Sequence, residues 1–200
     1  MITILSITLN RDEGLRKMLQ SVKDHMTGEY VVIIANCSDD KASTDSVISE
    51  FGFALSFHLD RKTSIHESYN ILIGCVETEY WCWLADDLTL EQDLFILLPQ
   101  LDRGYDMIAL PMKDRLTYYE KTHEGMPLDR HGCNANHHHG RRFANHALVK
   151  TSVWEGRLNT TPEEQVDYMI HEMHKNAYWP AGVYVNHVRD MDETRINRIL

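Results

Sequence analysis

Strand-like and helix-like segments alternate along the first half of the chain, and this alternation limits the possible folds more than any other feature. Apolar and β-branched residues are concentrated in five short runs, at residues 2–9, 30–35, 54–59, 80–85 and 107–112. Between the first two runs, apolar residues recur at the spacing of a helix that buries one face: Leu15, Met18, Leu19 and Val22. Repeated strand–helix units predict a doubly wound, Rossmann-like α/β fold, with a mostly parallel sheet and helices on both faces.

Polar residues with capping functions stand where helices are expected to begin. Asp12 is suited to cap the first helix, and Ser64 with Glu67 forms a capping box for the third. A second capping box, Thr89 with Gln92, predicts another helix after the fourth strand.

The composition predicts one globular domain over residues 1–200. A chain of 200 residues fits one hydrophobic core, and no apolar run is long enough to cross a bilayer. The 30 acidic residues outnumber the 20 Lys and Arg residues, and no strong basic cluster is present. This balance disfavours nucleic acid as a partner, because an acidic surface repels polyanions.

The cysteines and the amino terminus predict a cytoplasmic location. Cys37, Cys75, Cys82 and Cys133 show no paired spacing, and the first strand-like run begins without a signal-peptide pattern. Reduced thiols of this kind are typical of the cytosol.

Two adjacent carboxylates, Asp86 and Asp87, follow the fourth strand-like run. In doubly wound sheets, ligands bind beyond the carboxyl ends of the strands. Two neighbouring negative charges repel each other unless a cation accepts both or one faces away, and Mg²⁺ or Mn²⁺ would also hold a diphosphate. The structural alternative is that the two residues begin a turn and cap the helix expected after Thr89.

The order of several polar residues along the chain resembles that of a known family. Each of them follows a strand or lies in the third helix: Asn10, Arg11, Ser38–Asp40, Asn70, Asp86 and Asp87. This order resembles family 2 glycosyltransferases with the GT-A fold, and the resemblance continues through residues 132–154 and 163–178. It implies one GT-A domain with a nucleotide-sugar-binding half, residues 1–112, and an acceptor-side half, residues 113–200.

The resemblance also implies a reaction and a set of site residues. The reaction is the metal-dependent, inverting transfer of a sugar from a nucleotide-diphospho-sugar to the hydroxyl of a glycan, lipid-linked sugar, protein or small molecule. The residues implied to bind the donor are Thr8, Arg11, Asn36, Arg61, Asn70 and Asp86. The residues implied to hold Mn²⁺ or Mg²⁺ are Asp87, Asp86 and His187.

The catalytic base is expected at the start of a helix over residues 161–175. Thr161 and Pro162 are typical of a cap and a first helical position. The resemblance implies Glu164 as the base that takes the proton of the acceptor hydroxyl, with Glu163 in reserve. Glu164 is also suited to a capping box with Thr161, a structural function that needs no catalysis.

Three positions depart from the family pattern and leave two other functions open. Ala85 stands where the family has a leading Asp, Asn36 where an Asp commonly binds the base, and Gln165 where an Asp commonly accepts the proton. The first alternative is a non-catalytic module that binds nucleotide sugars. The second is a nucleotidyltransferase of the same fold, which would need more positive charge after the first strand than Arg11 supplies.

Overall fold

The computed structural model describes residues 1–111, 146–154, 177–178, 180 and 184–188. Its strands are β1 (Ile2–Thr8), β2 (Tyr30–Asn36), β3 (Ala54–His58), β4 (Tyr80–Trp83), β5 (Leu88–Leu90), β6 (Met107–Ala109), β7 (Ala147–Lys150), β8 (Ala177–Tyr178) and β9 (Val185–His187). Its α-helices are α1 (Asp12–His25), α2 (Lys41–Ser49), α3 (Ile65–Gly74), α4 (Leu98–Asp102) and α5 (Thr151–Trp154), and a 3-10 helix spans Leu94–Leu97. A strand forms at each of the five runs that the sequence predicts, and β2 extends one residue beyond its run.

Seven of the described strands form one sheet, in the order β3-β2-β1-β4-β7-β6-β8. The strands β3, β2, β1 and β4 are parallel to one another, whereas β7 runs antiparallel to both β4 and β6. The prediction of a mostly parallel doubly wound sheet is confirmed. From β1 the chain proceeds outward to β3 and then returns to β4 on the other side of β1, which places the topological switch point between β1 and β4.

Apolar residues of the central strands pack against helices on both faces of the sheet, as predicted. On one face, Ile2 and Ile4 of β1 join a core cluster with the buried residues of α1 and α2. On the other face, Leu5 of β1 joins a second cluster with Leu72 and Ile73 of α3. Complete burial of one Leu or Ile side chain contributes about 1.5–3 kcal/mol, so these two layers hold the strand ends in place.

The segment after β4 differs from the prediction. The Thr89–Gln92 capping box is wrong, because residues 88–90 form β5 and pair antiparallel with β9. Leu88 and Leu90 are buried while Thr89 is half-buried, which is the two-residue period of a strand. The next helical segment, at residues 94–97, is capped by Asp93, whose carboxylate accepts from the Phe95 N–H at 3.1 Å.

Two other helix starts show one confirmed cap and one correction. The Glu67 N–H donates to Ser64 Oγ at 3.1 Å, as the capping box of α3 requires. Asp12, in contrast, is the first residue of α1 and not its cap. Its carboxylate accepts from the hydroxyls of Ser43 at 2.6 Å and Thr44 at 2.7 Å, and so ties α1 to α2.

Several predicted features lie outside the described residues, among them the helix over residues 161–175, Glu163 and Glu164. Within the described part of the chain, no helix has the length and apolar character that crossing a membrane requires.

Candidate active site

A tight turn after β4 presents the two adjacent carboxylates. The Leu88 N–H donates to the Ala85 carbonyl at 3.0 Å and closes a turn with Asp86 and Asp87 at its centre. The turn half of the structural alternative is therefore correct, although β5 and not a helix follows. Asp86 and Asp87 are nevertheless only 4% and 7% exposed, and buried carboxylates are costly unless they are paired.

Arg11 pairs with both carboxylates. Its Nη1 donates to Asp86 Oδ1 at 3.2 Å and to Asp87 Oδ2 at 2.8 Å, and its side chain is 4% exposed. Arg11 follows β1, and the two Asp residues follow the neighbouring strand β4, so the contact lies at the switch point of the sheet. We call Arg11, Asp86 and Asp87 the inner cluster. In it, one guanidinium faces two carboxyl groups.

A more exposed polar group joins the ends of β1, β2 and β3. Asn10 Nδ2 donates to Asp39 Oδ2 at 2.8 Å, and the Asp39 N–H donates to Asn10 Oδ1 at 2.8 Å. Arg61 Nη1 donates to both Asp39 carboxylate oxygens, at 3.0 and 2.9 Å. The hydrogen bond from Asn10, together with the charge of Arg61, holds the pKa of Asp39 below its usual value. We call Asn10, Asp39 and Arg61 the outer bridge.

Asp39 is the residue at this edge that the prediction of donor-binding residues omits. The resemblance calls for an acid after the second strand, and an acid directly at the strand end is absent because Asn36 stands there. Asp39 follows three residues later, on the loop between β2 and α2. The signal that could have identified it is the acidic pair Asp39–Asp40 within the segment that carries the resemblance.

Asn36 supports this loop from below. It is fully buried, and its Oδ1 accepts from the Ser38 N–H at 3.0 Å. Its Nδ2 donates to the Lys41 carbonyl at 3.2 Å and to Asp45 Oδ1 at 3.1 Å. Both ends of the amide are thus engaged within the protein, so Asn36 supports the loop that carries Asp39, and its contact with a nucleotide base stays a prediction.

Two of the three remaining predicted residues, Thr8 and His187, lie at the same edge, and the third, Asn70, lies in α3. Thr8 ends β1, is fully buried, and its Oγ1 has no partner within the described part of the chain. Asn70 is a half-buried residue of α3. His187 lies opposite Leu88 in the β5–β9 ladder, and the next residue, Val188, donates its N–H to the Asp87 carbonyl at 2.9 Å. Topology thus brings Thr8, Asp87 and His187 to one end of the sheet from distant parts of the chain.

The described residues fit a divalent cation of one particular kind. Carboxylate oxygens are suitable ligands, and Asp86 and Asp87 supply them side by side. However, no group of three His, Cys, Asp or Glu side chains converges on a metal position among these residues. A pair of adjacent carboxylates is typical of Mg²⁺ or Mn²⁺ that binds together with substrate phosphates, and not of a closed protein cage.

Comparison with solved structures identifies the fold. TarS 1–349 from S. aureus is similar with a TM-score of 0.71 at 10% identity, over 99% of this chain and 63% of TarS 1–349. The mannosyltransferase PcManGT from Pyrobaculum calidifontis, in complex with GDP-Man and Mn²⁺, is similar with a TM-score of 0.68 at 15% identity, over 98% of this chain and 60% of PcManGT. The galactosyltransferase LgtC, in complex with donor and acceptor sugar analogues, is similar with a TM-score of 0.60 at 12% identity, over 92% of this chain and 86% of LgtC.

These neighbours show that the chain has a GT-A-type, glycosyltransferase-like fold, as the resemblance implied. The chain spans slightly less than two thirds of the length of TarS 1–349 and of PcManGT. No protein-family model matches the sequence, and no curated protein matches it. At identities of 10–15% the likeness establishes the fold, and the function has to be argued from the site.

Proposed function

We propose that this chain is a glycosyltransferase that moves a sugar from a nucleotide-diphospho-sugar to an acceptor hydroxyl. The observation that carries the proposal is the inner cluster, which places buried, opposite charges in the crevice where sheets of this kind bind ligands. The neighbours support it, because TarS 1–349 has been solved with UDP and with UDP-GlcNAc, and PcManGT with GDP-Man and Mn²⁺.

The proposed donor site extends along the carboxyl edge of the sheet. Thr8, Arg11 and Asp86 bind the diphosphate and sugar end, because a guanidinium forms strong hydrogen bonds to phosphate. The outer bridge, which includes Arg61, flanks the nucleoside, and Asn70 lines the same region from α3. Asn36 contributes indirectly, by supporting the loop that carries Asp39.

The proposed metal is Mn²⁺ or Mg²⁺, held by Asp87 with help from Asp86 and with His187 alongside. When bound, it would stabilise the negative charge of the departing nucleoside diphosphate. Glu164, with Glu163 in reserve, takes the proton of the acceptor hydroxyl as its oxygen attacks the anomeric carbon. The bond from that carbon to the diphosphate oxygen breaks, and the configuration inverts.

We also propose a reducing, cytosolic compartment. No disulfide joins Cys37, Cys75 and Cys82, the cysteines within the described residues, and this supports the location.

Calorimetric titration with UDP and GDP, each with and without Mn²⁺, tests the donor site. We expect one nucleotide to bind in the presence of Mn²⁺, and Asp87→Asn to weaken that binding at least about tenfold, because it removes a charged ligand of the cation. Asp24→Asn is the matched control, because Asp24 is exposed on α1 and its carboxylate accepts a hydrogen bond from Gln20 at 2.7 Å. Failure of both nucleotides to bind under all metal conditions would sink the assignment.

Release of nucleoside diphosphate from UDP-GlcNAc and from GDP-Man, with water as acceptor, separates the enzyme from the non-catalytic module. We expect turnover by the wild-type protein, and a loss of about 10²–10⁴-fold in Glu164→Gln with donor affinity retained. Donor binding without any turnover by the wild-type protein would instead favour the non-catalytic module.

A further inference from the structure

Arg11 occupies the place in the inner cluster where a cation would neutralise both carboxylates. The same nitrogen, Nη1, lies 3.2 Å from Asp86 Oδ1 and 2.8 Å from Asp87 Oδ2. The three side chains are between 4% and 10% exposed, so water contributes little to the solvation of their charges. The guanidinium is therefore a buried positive charge that both carboxylates share.

The guanidinium also retains an unused donor. Arg11 Nε is buried and has no partner among the described residues, and the same is true of Thr8 Oγ1 at the end of β1. A guanidinium carries five N–H donors in a planar fork that matches the oxygens of a phosphate group. Buried polar atoms that lack a protein partner call for an explanation, and a ligand that completes the site is one.

We propose that Arg11 is a resident counter-cation that competes with a divalent cation for Asp86 and Asp87. Removing Asp87 from Arg11 would leave the buried guanidinium with Asp86 alone, at 3.2 Å, and this loss of its shorter contact is unfavourable unless another anion replaces Asp87. A diphosphate is such an anion. Asp87 therefore exchanges Arg11 for the divalent cation when the cation arrives together with a diphosphate. The diphosphate then accepts hydrogen bonds from the guanidinium that Asp87 has released.

The consequence is a coupled mode of binding. The donor-free protein binds a divalent cation weakly, and it binds the cation and the diphosphate together tightly. The diphosphate half of this inference rests on the proposed function, whereas the competition between Arg11 and the cation rests on the inner cluster alone.

Binding of Mn²⁺ in the absence of nucleotide tests the competition directly, with free Mn²⁺ measured by electron paramagnetic resonance. We expect Arg11→Met to bind Mn²⁺ at least about tenfold more tightly than the wild-type protein, within the usual range of coupling between ligands. Arg16→Met is the matched control, because it removes the same charge from α1 where Arg16 pairs with the exposed Glu50 at 2.8 Å. Arg11→Met that binds Mn²⁺ no more tightly than the wild-type protein would overturn the proposal.

Loss of the guanidinium could unfold Arg11→Met in metal-free buffer. In that case we expect its fold to depend on Mn²⁺. Circular dichroism then decides, because the proposal expects Mn²⁺ to restore the folded signal of this variant. A variant that remains unfolded at saturating Mn²⁺ contradicts the proposal. Arg11→Lys, which keeps one positive charge, is expected to fold and to bind Mn²⁺ alone as weakly as the wild-type protein. Tight binding of Mn²⁺ alone to this variant would count against the competition.

The same titrations repeated with UDP and GDP separate this inference from the proposed function. Nucleotide is expected to tighten Mn²⁺ binding strongly in the wild-type protein and much less in Arg11→Met, since coupling between two ligands is reciprocal. If neither nucleotide binds, the proposed function fails while the comparison in Mn²⁺ alone still decides the competition. If nucleotide binds and the coupling is equal in both proteins, only the inference on Arg11 fails.

Discussion

The inner cluster and the outer bridge are two Arg–Asp contacts at the same edge of one sheet, and they differ mainly in burial. In the inner cluster, the Arg11 side chain is 4% exposed and its carboxylate partners are 5% and 10% exposed. In the outer bridge, Arg61 and Asp39 are 63% and 53% exposed, although their hydrogen bonds are equally short. Distance alone therefore does not distinguish the two contacts.

The difference shows how one sheet edge provides two kinds of charge. Breaking a buried pair leaves an uncompensated charge away from water, whereas solvent screens an exposed pair and either partner can be rehydrated. The inner cluster is thus suited to exchange one charged partner for another, because it cannot be left without one. The outer bridge is suited to rearrange around a ligand, because water can replace either partner.

Removal of the buried guanidinium is the strongest way to sharpen this comparison. We expect Arg11→Met to lower the free energy of unfolding by about 3 kcal/mol in metal-free buffer, because Asp86 and Asp87 lose their common partner. For a chain of this size the fall in Tm is on the order of 10 °C. Thermal denaturation with EDTA present measures it, and Arg16→Met serves as the exposed control. Equal Tm values for the two variants would show that burial does not separate the contacts.

Asp45 provides an intermediate case, since its side chain is 36% exposed. Its carboxylate accepts from Asn36 at 3.1 Å and Ser56 at 3.0 Å, and contacts His58 Nε2 at 2.6 Å. We expect Asp45→Asn to lower the free energy of unfolding by about 1 kcal/mol, because one charged acceptor becomes a donor. Denaturation in urea measures it. A loss as large as that of Arg11→Met would contradict the expectation that the loss of stability increases with the burial of the contact.

The smallest expected effect is the pH dependence that Asp39 contributes. Its pKa in the folded protein is lowered from the ordinary value of 3.8, first by the hydrogen bond from Asn10 and also by Arg61. The resulting stabilisation is present above pH 3.8 and is lost as the pH falls through the lower folded value.

Urea denaturation of the wild-type protein and of Asp39→Asn between pH 6 and pH 3 tests this dependence, at about half-unit steps. The difference in stability between the two proteins should be constant at the upper end and shrink at the lower end. Arg61→Met should reduce the dependence. A difference that grows as the pH falls would have the wrong sign for a lowered pKa.

Local patterns explain why so much of the fold could be predicted. The periods of apolar residues are properties of short segments, so they located β1 to β4, α1 and the capping box of α3. The segment after β4 failed for the same reason. In a segment as short as Leu88–Leu90, the strand conformation depends on pairing with β9, almost one hundred residues later in the chain. No local pattern predicts that pairing.

In the candidate site, too, local patterns predict some features and contacts between distant segments decide the others. The carboxyl ends of parallel strands meet at one edge, so the sequence predicts that Arg11, Asp86 and Asp87 lie near one another. The direct contact between them joins residues 75 and 76 positions apart. Likewise, the engagement of Asn36 within its own loop and the pairing of Asp39 with Arg61 depend on how β2, β3 and α2 pack.

The sequence by itself thus determined the class of fold, the edge of the sheet that carries the polar residues, and the presence of paired carboxylates there, because each follows from local periodicity and chain order. The tertiary structure decided which charges meet, how deeply they are buried, and which side chains already have partners inside the protein. These properties decide the energy of a charge, since burial removes the water that would otherwise screen it.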